Sequence, residues 1–105
     1  MRDGLIRLDS ELGKRIGLTH ANFQTAIVWD GRPKCLYFTL LIPNTPEEQI
    51  VRELFNALDK IHTPCCFSAP RTLVKKIAIE HGYEYGREPC GTDFVTNLNT
   101  KKPLK

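Results

Sequence analysis

The chain has 105 residues, of which 41% are hydrophobic and 26% are charged, and its formal net charge is +3. This length fits one domain, residues 1–105, and the modest basic excess falls short of the concentrated positive surface typical of nucleic-acid-binding proteins. No apolar run reaches the roughly 18 residues that a membrane span needs. Residues 1–9 lack the apolar stretch of a signal peptide. We therefore expect a cytoplasmic protein, in its own host or in an infected cell, with no membrane contact.

The cysteines and histidines lack the spacing of a metal site or a disulfide framework. Four cysteines (Cys35, Cys65, Cys66, Cys90) include no CxxC pair, and the three histidines are far apart in the chain. The sequence therefore predicts reduced thiols and no metal.

In residues 1–23, apolar side chains recur at intervals of three and four, at positions 5, 8, 12 and 16. This spacing predicts a short N-terminal helix that Ser10 or Asp9 could cap. The segment could complete the fold or dock on another molecule. Next, two β-rich runs, residues 25–29 and 34–42, flank the turn DGRP and predict a hairpin. The second run is apolar on both faces, as in a central strand covered on both sides.

A strand-to-helix junction follows, with the sequence PNTPEEQ at residues 43–49. Thr45 fits as the helix N-cap, with Pro46 at the first helical position and Glu48 completing a capping box. The apolar positions between residues 50 and 61 lie on one side of this helix, so we expect it to pack on a sheet.

The second half of the chain repeats the strand–helix pattern. CCFSA, residues 65–69, predicts a short buried strand, and Pro70 opens a second helix that ends before Gly82. Residues 83–88 and 93–98 form a second hairpin around the turn PCGT. The predicted fold class is α/β (α+β), a mixed β-sheet with two helices packed on it, in the order α-β-β-α-β-α-β-β. Its core is residues 24–98, and residues 99–105 form a basic tail.

Over residues 24–98 this order resembles the GCN5-related N-acetyltransferase (GNAT) family, which has the acyl-CoA N-acyltransferase fold. The resemblance lies in the strand LYFTLLI leading into a helix, the strand CCFSA, and the helix RTLVKKIAIEHGYEYG with its Gly-aromatic pair Gly82–Tyr83. It implies a glycine-rich strand-to-helix loop whose N–H groups hold the pyrophosphate of acetyl-CoA. It also implies a helix tyrosine, four residues before the Gly-aromatic pair, that protonates the leaving thiolate.

This sequence departs from both family features. The junction has no glycine, its two prolines remove N–H donors, and Glu47 and Glu48 add negative charge. The tyrosine position holds Ala78, which has no proton to donate. We therefore expect a junction closed to phosphate and no cofactor, with acetyl-CoA as the alternative. The residues that would then hold acetyl-CoA are Asn44, Thr45, Glu47, Glu48 and Gln49.

No recognisable catalytic constellation replaces them. The titratable candidates for a general base are His20, Asp30, Glu80 and Glu84. His81 fits better as a cation at a helix C-terminus, and Cys90 lacks an activating base.

Three functions fit these observations. The first is a GNAT-like domain that has lost catalysis and binds another protein, as small phage or mobile-element proteins do. Its contacts would be Trp29 with Arg32, or Tyr83 with Tyr85 and Arg87, because aromatic residues and arginine dominate interface energetics. Trp29 could instead cover the core.

The second function is an acyl-CoA-dependent N-acetyltransferase with an atypical cofactor loop. The third is a nucleic-acid binder that uses Arg71, Lys75, Lys76 and the basic tail, ranked last because the net charge is modest. A homodimer is compatible with all three, since a short mixed sheet leaves edges to be covered.

Overall fold

The computed structural model of the chain describes residues 4–31 and 35–98, where it forms six strands and three helices. The strands are β1 (Gly4–Ile6), β2 (Phe23–Gly31), β3 (Cys35–Pro43), β4 (Cys65–Ser68), β5 (Glu84–Arg87) and β6 (Asp93–Thr96). The helices are α1 (Glu11–Arg15), α2 (Glu47–Ile61) and α3 (Thr72–Glu80). The predicted basic tail, residues 99–105, and Arg32 lie outside the described residues.

The strands form one mixed sheet in the order β1-β2-β3-β4-β6-β5. β3 and β4 are parallel and are joined through α2, whereas every other neighbouring pair is antiparallel. The predicted α+β class with a mixed sheet is therefore confirmed. The structure contains one strand that was not predicted, β1, which forms one edge of the sheet.

The N-terminal prediction was wrong in its extent. Leu5 belongs to β1, and the helix covers only five residues, with the Ser10 hydroxyl capping the Gly13 N–H at 3.0 Å. Gly17 has φ +86, a conformation that stops the helix at low cost because glycine has no Cβ. Ile16 and Leu18 are fully buried in the main core. The segment thus completes the fold.

The start of α2 also differs from its prediction. Pro46, with extended backbone angles (φ −79, ψ 122), occupies the N-cap position, and no side chain caps the helix. The helix therefore begins one residue later than predicted, at Glu47, and the proposed Thr45 cap and capping box are wrong. The predicted glycine after α3 is confirmed, because Gly82 has φ +87 and follows the C-cap His81.

The core lies between one face of the sheet and the helices. Phe67 of β4 stacks on Phe38 of β3 with ring centroids 4.2 Å apart, and Phe55 of α2 packs on it at 4.9 Å. Tyr83 contacts Phe55 edge-on at 5.1 Å and is only 4% exposed. Tyr83 is therefore a core residue, and its side chain is not exposed as the predicted contact with Tyr85 and Arg87 would require.

The opposite face of the sheet carries a patch of large apolar side chains. Along β2 and β3, alternate residues such as Val28 and Phe38 enter the core, so their neighbours point the other way. Five exposed residues share this second side and are called the outer face here: Leu5, Ile27, Trp29, Tyr37 and Leu40. The core-facing side chains of the helices belong to the same buried cluster as Val28 and Phe38. The expectation that β3 is covered on both sides is therefore wrong.

Candidate functional site

A cleft opens between the carboxyl ends of the parallel strands β3 and β4. The strands pair only over residues 36–38 and 65–67, and each then leads separately to its helix. Thr39 is an extra residue in the β2–β3 register, and its hydroxyl donates to the Ile27 carbonyl at 3.1 Å. Such a bulge bends a strand.

This β3–β4 cleft has a volume of about 190 Å³. It is lined by Phe38, Thr39, Leu40, Leu41, Ile42, Phe67, Ser68, Ala69, Pro70, Arg71 and Val74. In open sheets with parallel strands, ligands bind outside the carboxyl ends of the strands. The cleft is thus the place where the fold itself would receive a cofactor.

Arginines compensate both glutamates at the start of α2. Arg71 Nη2 lies 3.6 Å from Glu47 Oε2, and Arg52 Nη2 lies 2.9 Å from Glu48 Oε2. Arg52 also contacts Glu80 Oε1 at 2.7 Å, and this hydrogen bond lowers the pKa of Glu80. The sequence indicated only that Glu47 and Glu48 add negative charge at this junction. The Arg71 contact was missed because it joins residues 24 positions apart on different helices.

The predicted cofactor residues do not assemble around the cleft. None of the five is among its lining residues. The Asn44 amide donates to the carbonyls of His20 and Ala21, at 3.1 and 3.0 Å, and the Gln49 amide donates to Glu53 at 3.3 Å. Glu47 and Glu48 form ion pairs with arginines. Of the five predicted cofactor residues, only Thr45 therefore has no side-chain hydrogen bond or ion pair within the described residues.

The family's acid position is also remote from the cleft surface. Ala78 is fully buried, and Val74, one turn earlier on α3, is the helix residue that lines the cleft. Ala78 therefore faces the core. No polar side chain of α3 takes the place of the family's tyrosine in the cleft.

The structure brings one predicted titratable residue into an acid–base pair. His20 Nδ1 is hydrogen-bonded to the Asp9 carboxylate, and this bond lowers the pKa of Asp9. His81 Nδ1 contacts Asp59 Oδ2 at 2.7 Å, so it links the ends of α2 and α3. Burial raises the pKa of the Cys66 thiol to about 11, which keeps that group protonated at neutral pH.

The remaining catalytic candidates stay apart. Glu80 is held by Arg52, Glu84 lies on the edge strand β5, and Asp30 lies near the end of β2. The exposed thiol of Cys90 donates to the Thr92 hydroxyl at 3.4 Å. The described residues contain no group of three or more His, Cys, Asp and Glu side chains that could hold a metal ion.

The predicted interaction residues fall on separate surfaces. Trp29 lies on the outer face near the β1 edge, whereas Tyr85 and Arg87 lie on β5 at the opposite edge. Arg87 Nη2 donates to the Tyr85 hydroxyl at 2.9 Å, and Lys75 Nζ lies 5.1 Å from the centre of the Tyr85 ring. Only the Trp29 surface continues into other exposed apolar side chains.

Sequence reasoning missed the other four outer-face residues. Leu5 was assigned to a helix, Tyr37 and Leu40 were assigned to a strand covered on both sides, and Ile27 was assigned to the other strand of the hairpin without a prediction of its exposure. The apolar residues on both sides of β3 were the available signal. They did not show which side a helix would cover.

The cationic cluster proposed for nucleic acid is partly neutralised. Besides the Arg71–Glu47 contact, Lys75 Nζ lies 3.2 Å from Asp93 Oδ2. The helices in the described ranges are too short or too polar to cross a bilayer. No protein-family model, curated protein or solved structure matches this chain.

Proposed function

We propose that the chain is a protein-binding domain on a GNAT-like scaffold that has lost catalysis, and that the outer face is its contact surface. One observation carries this proposal. Five large apolar side chains are exposed together on the sheet face opposite the helix-covered core. Exposed apolar patches of a few hundred Å² are often functional and can mark interaction sites.

The composition of the patch supports a protein partner. Trp29 lies directly opposite Tyr37, Leu5 opposes Trp29, and Ile27 opposes Leu40. Tryptophan and tyrosine supply large contact areas and recur among the residues that dominate interface energies. None of the five carries a charge, so an apolar partner surface meets no desolvation cost for buried charges there.

The free energy gained by covering the five side chains can be compared with the cost of association. A side chain that is about 40% exposed contributes roughly 1 kcal/mol when a partner covers it, or about 5 kcal/mol for all five. Association costs about 4–15 kcal/mol in lost freedom. The five residues therefore form the centre of an interface that also extends over the polar side chains around them.

The β3–β4 region supports the loss of catalysis. No predicted cofactor residue lines the cleft, and Ala78 is buried. A transferase would need donors for the pyrophosphate and an acid for the thiolate. In the described residues, the cleft offers Arg71 as its single charged side chain.

The proposal can be tested without knowing the natural partner. Short random peptides would be selected on the immobilised protein, and the affinity of the recovered peptides would be measured by calorimetry. The Trp29→Ser variant should weaken binding at least tenfold, because interface tryptophans contribute about 2 kcal/mol or more. Ile79→Ser is the matched control, because Ile79 is 50% exposed on α3 and lies outside the outer face. Equal loss in both variants would contradict the proposal, as would no loss in either.

A second candidate, binding of acetyl-CoA, is favoured by one specific observation. Arg71, the N-cap residue of α3, lines the cleft, and this helix has no side-chain cap. Uncapped N–H groups are donors for anions. Acetyl-CoA at about a hundred times its dissociation constant would stabilise the protein by about 2.7 kcal/mol and raise the melting temperature by roughly 10–20 °C. The protein-binding proposal expects an unchanged melting temperature in the same experiment.

A further inference from the structure

A second cleft opens at the β1 end of the outer face. β1 stops pairing with β2 at Ile6, and the chain then leaves the sheet beside Ala26 and Ile27. This β1–β2 cleft has a volume of about 420 Å³ and is lined by Leu5, Ile6, Arg7, Leu8, His20, Ala26, Ile27 and Trp29. Clefts that bind small groups have volumes of about 300–1,000 Å³ and mostly apolar walls. Three of the walls, Leu5, Ile27 and Trp29, belong to the outer face.

The two polar side chains of this cleft, the Arg7 guanidinium and the His20 imidazole, both offer nitrogen groups to a ligand. Arg7 is exposed and forms no ion pair with any residue in the described ranges. Its guanidinium offers a planar fork of N–H donors that matches a carboxylate. The cleft therefore combines apolar walls with an uncompensated cation.

His20 is held in place by contacts on three sides. Its Nδ1 is bonded to the Asp9 carboxylate, and its backbone N–H donates to Asp9 Oδ1 at 3.3 Å. The Asn44 amide binds the His20 carbonyl at 3.1 Å, and the Asp9 N–H donates to the Leu18 carbonyl at 2.9 Å. The backbone contacts position the residue, and the bond to Asp9 orients the ring and leaves Nε2 open to a ligand.

The geometry points to a specific chemistry for the partner: we propose that it inserts an apolar side chain, flanked by a carboxylate, into the β1–β2 cleft. The side chain contacts Leu5, Ile27 and Trp29, and the carboxylate lies against Arg7 and His20. This inference rests on the proposed protein-binding function and names the anchor of that interface. Charge complementarity at the cleft favours an acidic partner, because Arg7 forms no ion pair with any residue in the described ranges.

The first experiment probes the cleft with matched aromatic molecules. Phenylacetate and benzylamine have similar size and opposite charge, and benzyl alcohol is the uncharged reference. Amide chemical shifts should change at residues 5–8, 20 and 26–29. Phenylacetate should bind about fivefold more tightly than benzyl alcohol, as expected for one solvent-exposed charge contact, and benzylamine more weakly. Equal binding of the two charged probes, or shifts centred elsewhere, would overturn the proposal.

Two variants test whether Arg7 is the residue that binds the carboxylate of phenylacetate. Arg7→Gln should abolish the preference for phenylacetate over benzyl alcohol while benzyl alcohol still binds. Lys76→Gln is the control, because it removes one positive charge from α3 and leaves the cleft unchanged. An unchanged preference in Arg7→Gln would refute the assignment.

A peptide experiment tests whether the cleft binds a side chain of a protein partner or a free small molecule. Acetyl-Glu-Leu-Phe-Glu-amide should bind more tightly than phenylacetate, and its lysine counterpart should bind at least about fivefold more weakly. If phenylacetate bound and the acidic peptide bound no better, the cleft would be a small-molecule site and the inference would be wrong. If selected peptides bound the outer face without acidic residues, the proposed function would stand and this inference alone would fail.

Discussion

Trp29 of β2 and Tyr37 of β3 are direct cross-strand partners, and their side chains are 38% and 37% exposed on the outer face. The ring of Tyr37 also covers Gly31, where an added Cβ would lie 2.4 Å from Tyr37 Cε2. Two aromatic side chains are thus held in register on a surface that the helices do not cover. Their role in folding and their role in binding can be separated.

Replacing either aromatic residue by serine should have little effect on folding. Both side chains already contact water, and a cross-strand aromatic pair contributes about 0.2–1 kcal/mol. Trp29→Ser and Tyr37→Ser should each lower the free energy of unfolding by about 1–2 kcal/mol, because the covered part of each side chain is lost together with the pair. Urea denaturation measures this change. A loss of more than about 3 kcal/mol, as expected for a core aromatic residue, would mean that the outer face is part of the core.

A substitution on the other side of the sheet should behave oppositely. Phe67 is buried against Phe38, Phe55 and Tyr83, with ring centroids 4.2, 4.9 and 5.8 Å away. Phe67→Ala should cost about 3–5 kcal/mol, a large part of the total stability of a small domain. Leu40→Ala on the outer face is the control and should cost less than about 1 kcal/mol. Similar losses in the two variants would contradict the assignment of the faces.

The hydroxyl of Tyr83 provides a third prediction. It is buried without a hydrogen-bond partner of good geometry in the described residues, and burial raises the pKa of this phenol. The neighbouring Cys65 thiol donates to the Thr63 carbonyl at 3.2 Å. Because an unsatisfied buried polar group costs about 1–3 kcal/mol, Tyr83→Phe should leave stability unchanged or raise it by about 1 kcal/mol. Thermal and urea unfolding of the two proteins measure the difference, and clear destabilisation would show that the hydroxyl makes a favourable contact.

The Arg52–Glu80 bridge between α2 and α3 predicts that the stability of the protein depends on pH. The hydrogen bond from Arg52 lowers the pKa of Glu80 below its usual value of 4.5. A carboxylate with a lowered folded-state pKa stabilises the protein above its unfolded-state pKa, and this contribution disappears as the pH falls through the folded-state value. The stability difference between the native protein and Glu80→Gln should therefore be present at neutral pH and shrink below about pH 4.5. Salt should also reduce it, because both side chains are substantially exposed. A difference that is independent of pH would argue against the bridge.

The spacing of apolar residues and glycines along the sequence predicted the longer helices well, but it did not predict contacts between distant residues. The apolar spacing of α2 correctly indicated that Ile50, Leu54 and Leu58 enter the core, and Gly82 marked the end of α3. The same reasoning wrongly assigned Leu5 to a helix. Apolar residues three and four positions apart can also occur by chance across a strand and a loop. Only pairing with Trp29 reveals β1.

The candidate sites depended on contacts between distant residues. Arg71 reaches Glu47 from another helix, and Asp9 reaches His20 across α1. Neither contact has a local sequence signal. Trp29 was identified because aromatic residues contribute strongly to interface energies. Its neighbours on the outer face could be found only once the side of the sheet covered by helices was known.

Mapping the amide chemical shifts of the protein on addition of a selected peptide tests the central claim most directly. The account predicts that the largest changes occur at Leu5, Ile27, Trp29, Tyr37 and Leu40 and at their neighbours on the outer face. It also predicts that these changes disappear in Trp29→Ser and persist in Ile79→Ser. Changes centred on the β3–β4 cleft around Ile42, Ala69 and Arg71, with the outer face unaffected, would contradict it.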